Sequence, residues 1–370
     1  MAITRRSLLA GTLALKNAHA ARVLSIETVS LDSDAYHGWP TLARRANGEL
    51  LFVCSGGRES HVCPFGRVDM IRSKDDGRTW TWPETLVDTA IDDRDAGVCE
   101  TKKGTLLVTT FTSLAYEPVL EKASGWPAAR LAKWRAVNER LSVAERKSLL
   151  GTWMIRSTDG GKTWSGLYRV PVNSPHGPIV LADGRLLYPG KELWSEPKRV
   201  GVAESRDDGA TWKWSAGIPA RPGDSGDDYH ELHGVQAADG RIVVHIRNHN
   251  KVNAGETLQS ESRDGGRTWS VPRAIGVWGL PSHLLRLRDG RLLMSYGYRR
   301  KPFGNQVRVS GDHGGSWSEA ITLSADGASG DLGYPSTVEL ADGELLTGWY
   351  ERPASAPVAA LRLARWRFGG

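Results

Sequence analysis

The chain predicts an all-β fold, a six-bladed β-propeller, on three observations. One eight-residue turn occurs five times, a strand–turn–strand hairpin occurs six times, and both recur at intervals near 50 residues. Such intervals are those of four-stranded propeller blades. A chain of 370 residues can bury one large core of this kind, and its 15 Trp and 42 Gly against five Phe suit short strands joined by tight turns.

The turn reads "SKDDGRTW" from Ser73, "STDGGKTW" from Ser157, "SRDDGATW" from Ser205, "SRDGGRTW" from Ser262 and "SGDHGGSW" from Ser310. Its pattern is S-x-D-x-G-x-[TS]-W. The Asp accepts hydrogen bonds from backbone N–H groups of its own turn, and the Gly supplies a positive φ. The Trp packs back under the turn. This predicts a self-contained hairpin staple on the outer rim, remote from any chemistry.

The hairpins begin at Gly38, Asp95, His176, His233, His283 and Tyr334. Each is a strand, a D-G or N-G-like turn, and a strand rich in Leu, Ile and Val. The five repeated turns follow hairpins one to five. Blade six lacks one, so the ring is expected to close by pairing an N-terminal strand (Arg22–Leu31) with a C-terminal one (Val358–Phe368), which leaves no open edge. Successive turns lie 84, 48, 57 and 48 residues apart. The long interval holds 117–150, with "AARLAKWRAVNERL" and the capping box Ser142-Val143-Ala144-Glu145. It reads as two short helices inserted into blade two, serving packing, a dimer contact or a lid.

Residues 1–20 read as a twin-arginine export signal, with Arg5 and Arg6, an apolar run from Leu8 to Leu15, and Ala18-His19-Ala20 as a cleavage site. The mature domain is then 21–370, periplasmic or secreted. The apolar run is too short to span a bilayer, and no membrane span is expected later. The formal charge of +6 includes Arg5, Arg6 and Lys16, and the remaining +3 is too small and scattered to indicate nucleic acid. Cys54, Cys63 and Cys99 show no metal spacing; buried free thiols are expected, although Cys54 and Cys63 could meet on adjacent strands. No P-loop, G-x-G-x-x-G or H-E-x-x-H occurs, so no cofactor is implied.

Innermost strands of a propeller run along its axis, so the six hairpin starts converge at one mouth. They carry His37 and Gly38, Asp92 to Asp95, His176, Glu231 with His233, His283, and Tyr334. Packing alone gives no reason for six blades to deliver titratable groups to one place. A metal is not assigned to the histidines, because spacing across blades says nothing about ligand geometry.

With these motifs the chain resembles the sialidase superfamily over residues 30–370, the repeated turn being that family's Asp box. The resemblance implies a retaining glycoside hydrolase in which a Tyr nucleophile is activated by a Glu, an Asp is the acid/base, and three Arg hold the sugar carboxylate. It assigns Tyr334 in "DLGYPSTVELADGELL" as nucleophile, Glu231 in "YHELHGVQ" as its activator, and Arg247 and Arg299 (or the adjacent Arg300) as carboxylate ligands. A neutral phenol suits this task because an anionic nucleophile would be repelled by the substrate's carboxylate. A buried Tyr–Glu hydrogen bond and interblade ion pairs would explain the same residues without chemistry.

Two family positions are missing. Gly38-Trp39-Pro40 stands where the family has R-I-P, and the loop that should hold the acid reads "GGRESHVCPFGRVDM", with His61 at about the right position and Arg58 and Glu59 beside it. Arg94 could supply the lost guanidinium, and His61 or Asp93 the proton. Arg58, His37, His176 and His283 are further candidates for substrate contact. The leading reading is an exo-acting hydrolase of a terminal acidic sugar. The alternatives are a polysaccharide lyase using His61 and Tyr334 on uronates, and a carbohydrate-binding propeller without activity.

Overall fold

The computed structural model describes residues 21–30, 34–354 and 356–369, so the expected leader lies outside the described residues. Six four-stranded antiparallel sheets form the blades. Their innermost strands are Tyr36–Arg44, Asp92–Glu100, Ile179–Val180, Tyr229–Gln236, Ser282–Arg286 and Gly327–Glu339 for blades one to six. The hairpin turns form as the D-G signal requires: Gly184, Gly240, Gly290 and Gly343 have φ of 90, 87, 89 and 89°. Ring closure follows the expected pairing, with Ala21–Thr28 lying outermost in blade six against Ala360–Phe368.

Each blade is an antiparallel meander, so the loops after its first and third strands leave on one face and those after its second strand on the other. The repeated turns follow third strands. They therefore lie opposite the face where the second strands end at Arg58, Asn248 and Tyr298.

Inside the turn at Ser262, Asp264 Oδ1 accepts from the N–H groups of Arg267 (3.0 Å) and Thr268 (2.9 Å). Its Oδ2 accepts from the Thr268 hydroxyl at 2.6 Å, and Ser262 Oγ accepts from Gly266 N–H at 2.8 Å. The turn is not self-contained, however. A Cβ on Gly77 would meet Leu346 at 3.1 Å, on Gly209 Leu107 at 2.7 Å, on Gly266 Leu187 at 2.8 Å and on Gly314 Val243 at 3.0 Å, each on the preceding blade. The turn Trp residues join the same interblade layers: Trp164 packs where Leu51, Val53 and Val68 of blade one meet Val98, Leu106 and Val108 of blade two. The repeat thus staples one blade to the next.

Residues 117–150 form three helices rather than two, α1 (Glu117–Glu121), α2 (Ala128–Glu139) and α3 (Val143–Ser148), because Pro127 separates a first turn from α2. The capping box forms as expected, with Ser142 N–H donating to Glu145 Oε2 at 2.7 Å. The insertion follows the second strand of blade two and so stands on the mouth face. It packs on the blade-one loop 59–65, where Trp134, Tyr116 and Ile91 bury Cys63 beside Val62 and Phe65. All three cysteines are free.

If the turns staple blades, Gly209→Ala should lower unfolding free energy by about 1–3 kcal/mol, since it adds a clash with Leu107 to the strain of a positive φ. Gly104→Ala meets nothing within 4 Å at a similar φ of 81° and should cost less. Urea denaturation of both compares them; equal losses would show that the turn does not bear on the neighbouring blade.

Candidate active site

Four inner-strand residues adopt left-handed backbone conformations: Trp39 (φ 48°), Asp95 (49°), Glu231 (43°) and Tyr334 (52°). The other non-glycine positive φ values among the described residues belong to the repeated turns (Asp76, Asp208, His313) and to Asn253. Each of the four sits in a break of register against the second strand, between Gly38 and Thr41, Arg94 and Gly97, His230 and His233, and Gly333 and Ser336. Regular strands turn side chains alternately to their two faces, and a bulge re-aims one of them. Four blades therefore spend backbone strain, of order 1–3 kcal/mol per residue, to gather these side chains.

The Tyr334 hydroxyl donates to Glu231 Oε1 at 2.6 Å, joining blades six and four. Arg247 Nη1 donates to Glu231 Oε2 at 2.6 Å and to the Tyr334 oxygen at 3.3 Å, while its Nε donates to His249 Nε2 at 2.8 Å. Burial pushes the phenol well above its ordinary value, and the Glu231 charge pushes further in the same direction. Burial also opposes ionisation of Glu231, but the Arg247 charge and the Tyr334 hydrogen bond outweigh it and hold Glu231 below its usual range. The result is a neutral phenol whose proton already points at an ionised base. Arg299 donates Nε–H to the Leu332 carbonyl at 3.0 Å, and its guanidinium carbon lies 5.8 Å from the Tyr334 ring centre. Among the described residues its Nη groups have no hydrogen-bond partner. Burial and the Glu231 charge push Asp95 up to about 7.

His61 stands beside Trp39, its ring meeting that of Trp39 edge-on at 4.9 Å. Its Nδ1 lies 2.9 Å from Asp331 Oδ1. The Arg94 guanidinium covers the Trp39 ring at 4.3 Å, and its Nε has no hydrogen-bond partner among the described residues. The missing family arginine has a steric reason. A Cβ on Gly38 would stand 2.9 Å from Cε1 of Tyr36, so the Tyr36 ring fills the space a side chain at 38 would need.

The sequence expectations divide accordingly. Tyr334, Glu231, Arg247 and Arg299 come together, with Arg94 and His61 linked to them through Trp39, whose ring lies 6.5 Å from that of Tyr334. Arg58 does not belong with the substrate-facing candidates. It is 1% exposed and bound to both oxygens of Asp92 at 2.5 and 3.0 Å, because strand alternation turns it into the interblade layer. Asp93 is likewise turned away and accepts from Thr89 N–H at 2.7 Å, the turn chemistry that its surroundings allowed. His37 lines a crevice with Ser30, Cys54 and Asp69. Arg300 is exposed and lies over Trp278, with 5.3 Å from guanidinium carbon to ring centre.

His176 and His283 converge on the axis with His233, rings 4.5–5.3 Å apart, but all three are buried rather than open at the mouth. Burial holds each below its ordinary value, so they are neutral. No group of three or more His, Cys, Asp or Glu among the described residues could hold a metal ion. Sequence reasoning placed Asp95 at the mouth without a chemical role, and assigned none to Asp331, Tyr36 or His249. Asp331 stands only three residues before Tyr334, but the two lie in separate breaks of register, Gly327–Leu332 and Gly333–Ser336, which conceals which way Asp331 faces.

The family model of the BNR repeat-like domain matches residues 117–346. The chain belongs to this family, and with it to the sialidase superfamily. A sialidase of Micromonospora viridifaciens is 28% identical over 205 residues, 46% of this chain and 31% of that protein. An exo-alpha-sialidase of Aspergillus fumigatus is 27% identical over 133 residues, 35% of this chain and 30% of that protein. The matches thus span about a third of these relatives' length. A Dyadobacter fermentans protein of unknown function shares the fold over 95% of this chain and 100% of its own (TM-score 0.78, 23% identity). The NanB sialidase of Streptococcus pneumoniae does so over 93% of this chain and 70% of its own (TM-score 0.65, 16% identity).

Arg58→Ala would leave Asp92 buried without its partner. It should cost about 3–5 kcal/mol of stability in urea denaturation. Unchanged stability with a raised KM alone would return Arg58 to the substrate.

Proposed function

We propose that the protein is an exo-acting glycoside hydrolase that removes a terminal acidic sugar, sialic acid or a related sugar acid, from glycans. The observation that carries this reading is the 2.6 Å hydrogen bond from the Tyr334 hydroxyl to Glu231, flanked by the guanidinium groups of Arg247 and Arg299. The relatives named sialidases support the substrate class. The expected twin-arginine leader would have the enzyme act outside the cytoplasm.

In this mechanism Arg247 and Arg299 hold the sugar carboxylate, with Arg94 contributing a third positive charge from blade two. The Tyr334 oxygen attacks the anomeric carbon as its proton passes to Glu231. That transfer removes the need for a free phenolate, which burial makes unfavourable. His61 protonates the departing oxygen. Water then releases the sugar from the tyrosine, and Glu231 returns the proton to the phenol. Because the anomeric carbon is attacked twice, its configuration is retained.

The polarity of the central hydrogen bond favours hydrolysis over elimination. A lyase would need the Tyr334 proton aimed at the substrate's leaving oxygen, whereas it is directed to Glu231.

On a panel of sialosides and uronate-containing glycans, the protein should liberate new reducing ends without a near-ultraviolet chromophore. Tyr334→Phe should lower kcat by about 10²–10⁴-fold, with product affinity kept within a few fold. Near-ultraviolet absorbance would establish elimination. Binding without turnover in either protein would establish a lectin.

A further inference from the structure

Asp331 is unlike the other acidic residues of the mouth. Its carboxylate accepts from Tyr36 Oη at 3.1 Å to each oxygen and from Tyr350 Oη at 2.9 Å, and it lies 2.9 Å from His61 Nδ1. Tyr36 and Tyr350 are buried, whereas the His61 side chain is 47% exposed. Burial works against the Asp331 charge, but the hydrogen bonds from His61 and the two phenols prevail and hold it below its ordinary value. Tyr36 Oη also lies 3.0 Å from His61 Nδ1. An ionised carboxylate only accepts, so with the Tyr36 proton given to Asp331 the His61 Nδ1–H is the donor toward Asp331, and Nε2 is the ring nitrogen left for other partners.

The backbone fixes the same imidazole. Arg58 Nη2 donates to the His61 carbonyl at 3.0 Å, and Trp39 packs against the ring. Two residues earlier, Glu59 accepts from Lys133 at 2.7 Å, from Trp134 Nε1 at 2.8 Å and from Arg130 at 3.3 Å, all on α2. The insertion therefore anchors the loop that carries His61.

We infer that Asp331 is a positioning residue which, with Tyr36 and Tyr350, makes His61 the acid/base of the reaction, a His–Asp pair in place of a lone carboxylic acid. The inference rests on the glycosidase reading. In the first step the bond from the anomeric carbon to the leaving oxygen breaks as the bond to Tyr334 forms. The Nε2 proton of the imidazolium goes to the leaving oxygen, and the phenolic proton goes to Glu231. In the second step the bond from water oxygen to the anomeric carbon forms as the bond to Tyr334 breaks, neutral Nε2 takes the water's proton, and Glu231 returns its own to the phenol. The Nδ1 proton stays with Asp331 throughout. The pair suits one ring to both steps, since a carboxylate beside Nδ1 fixes the tautomer and leaves Nε2 to give a proton in the first step and to take one in the second.

The test is leaving-group dependence of kcat/KM, which reports the first bond-breaking step. Wild type, Asp331→Asn, His61→Ala and the double variant are assayed on a 4-nitrophenyl glycoside, whose leaving group needs little protonation, and on an alkyl or sugar glycoside, which needs it. Asp331→Asn should lose about 10²-fold on the unactivated substrate and less than about 10-fold on the activated one. His61→Ala should show the same pattern, and the double variant should add little, because both act through one group. Tyr350→Phe, which removes one donor and no charge, should give the same ranking at smaller size and covers the case in which Asp331→Asn does not fold.

Equal losses on the two substrates, no loss on either, or independent losses in the double variant would overturn the assignment while leaving the glycosidase reading standing. Wild-type protein that turned over no anionic glycoside would remove that reading and this one with it.

Discussion

The structure depends on a geometric constraint of β-strands. A strand presents alternate side chains to its two faces, and in a propeller both faces are covered by neighbouring blades. Regular inner strands turn their side chains to the neighbouring blades, and His233 and His283, at regular positions, end buried around the axis rather than open at the mouth. Trp39, Asp95, Glu231 and Tyr334 escape that alternation through left-handed bulges. The strain is sustained by six interlocking sheets, in which the repeated turns of blades one to five reach the preceding blade and the N-terminal strand completes blade six. Rigidity of the ring and strain at the mouth are two sides of one arrangement.

Electrostatics then determine what the gathered groups can do. Alone, Glu231 would be driven toward its neutral form by burial; Arg247 keeps it charged, and a charged Glu231 is what can take the phenolic proton. The same burial keeps Tyr334 protonated until that moment. Beside Trp39, the Arg58–Asp92 pair is fully enclosed, so both charges are neutralised where no solvent could do it. Trp39 is the hinge of the assembly, with His61 on one edge, Arg94 and Arg58 within cation–π distance and Tyr334 beside it.

Most of the architecture was legible in the sequence because its signals are local. Each turn Asp is satisfied within its own eight residues, and each D-G pair specifies its own hairpin. What escaped was the relation between neighbours: the glycine of one turn touching the leucine of another blade is invisible in either segment alone. The site divides in the same way. Tyr334, Glu231, Arg247 and Arg299 were found through a resemblance that carries spatial information. The substitutes for the missing family residues had to be guessed from proximity along the chain, and there direction decided the outcome. Asp93 and Asp95 are two residues apart, yet the bulge at Asp95 sends one to Thr89 and the other toward Glu231. Asp331 was overlooked because its partners Tyr36 and His61 are 295 and 270 residues away.

The account turns on the phenol of Tyr334 forming a bond to the sugar, and trapping that bond is the most direct measurement. A fluorinated glycosyl fluoride of an acidic sugar reacts quickly in the first step and slowly in the second, so the intermediate accumulates. Mass spectrometry of the treated protein should show the mass of one sugar added, and peptide mapping should place it on Tyr334. Continued turnover with no adduct, or an adduct on a carboxylate such as Glu231 or Asp95, would contradict the account.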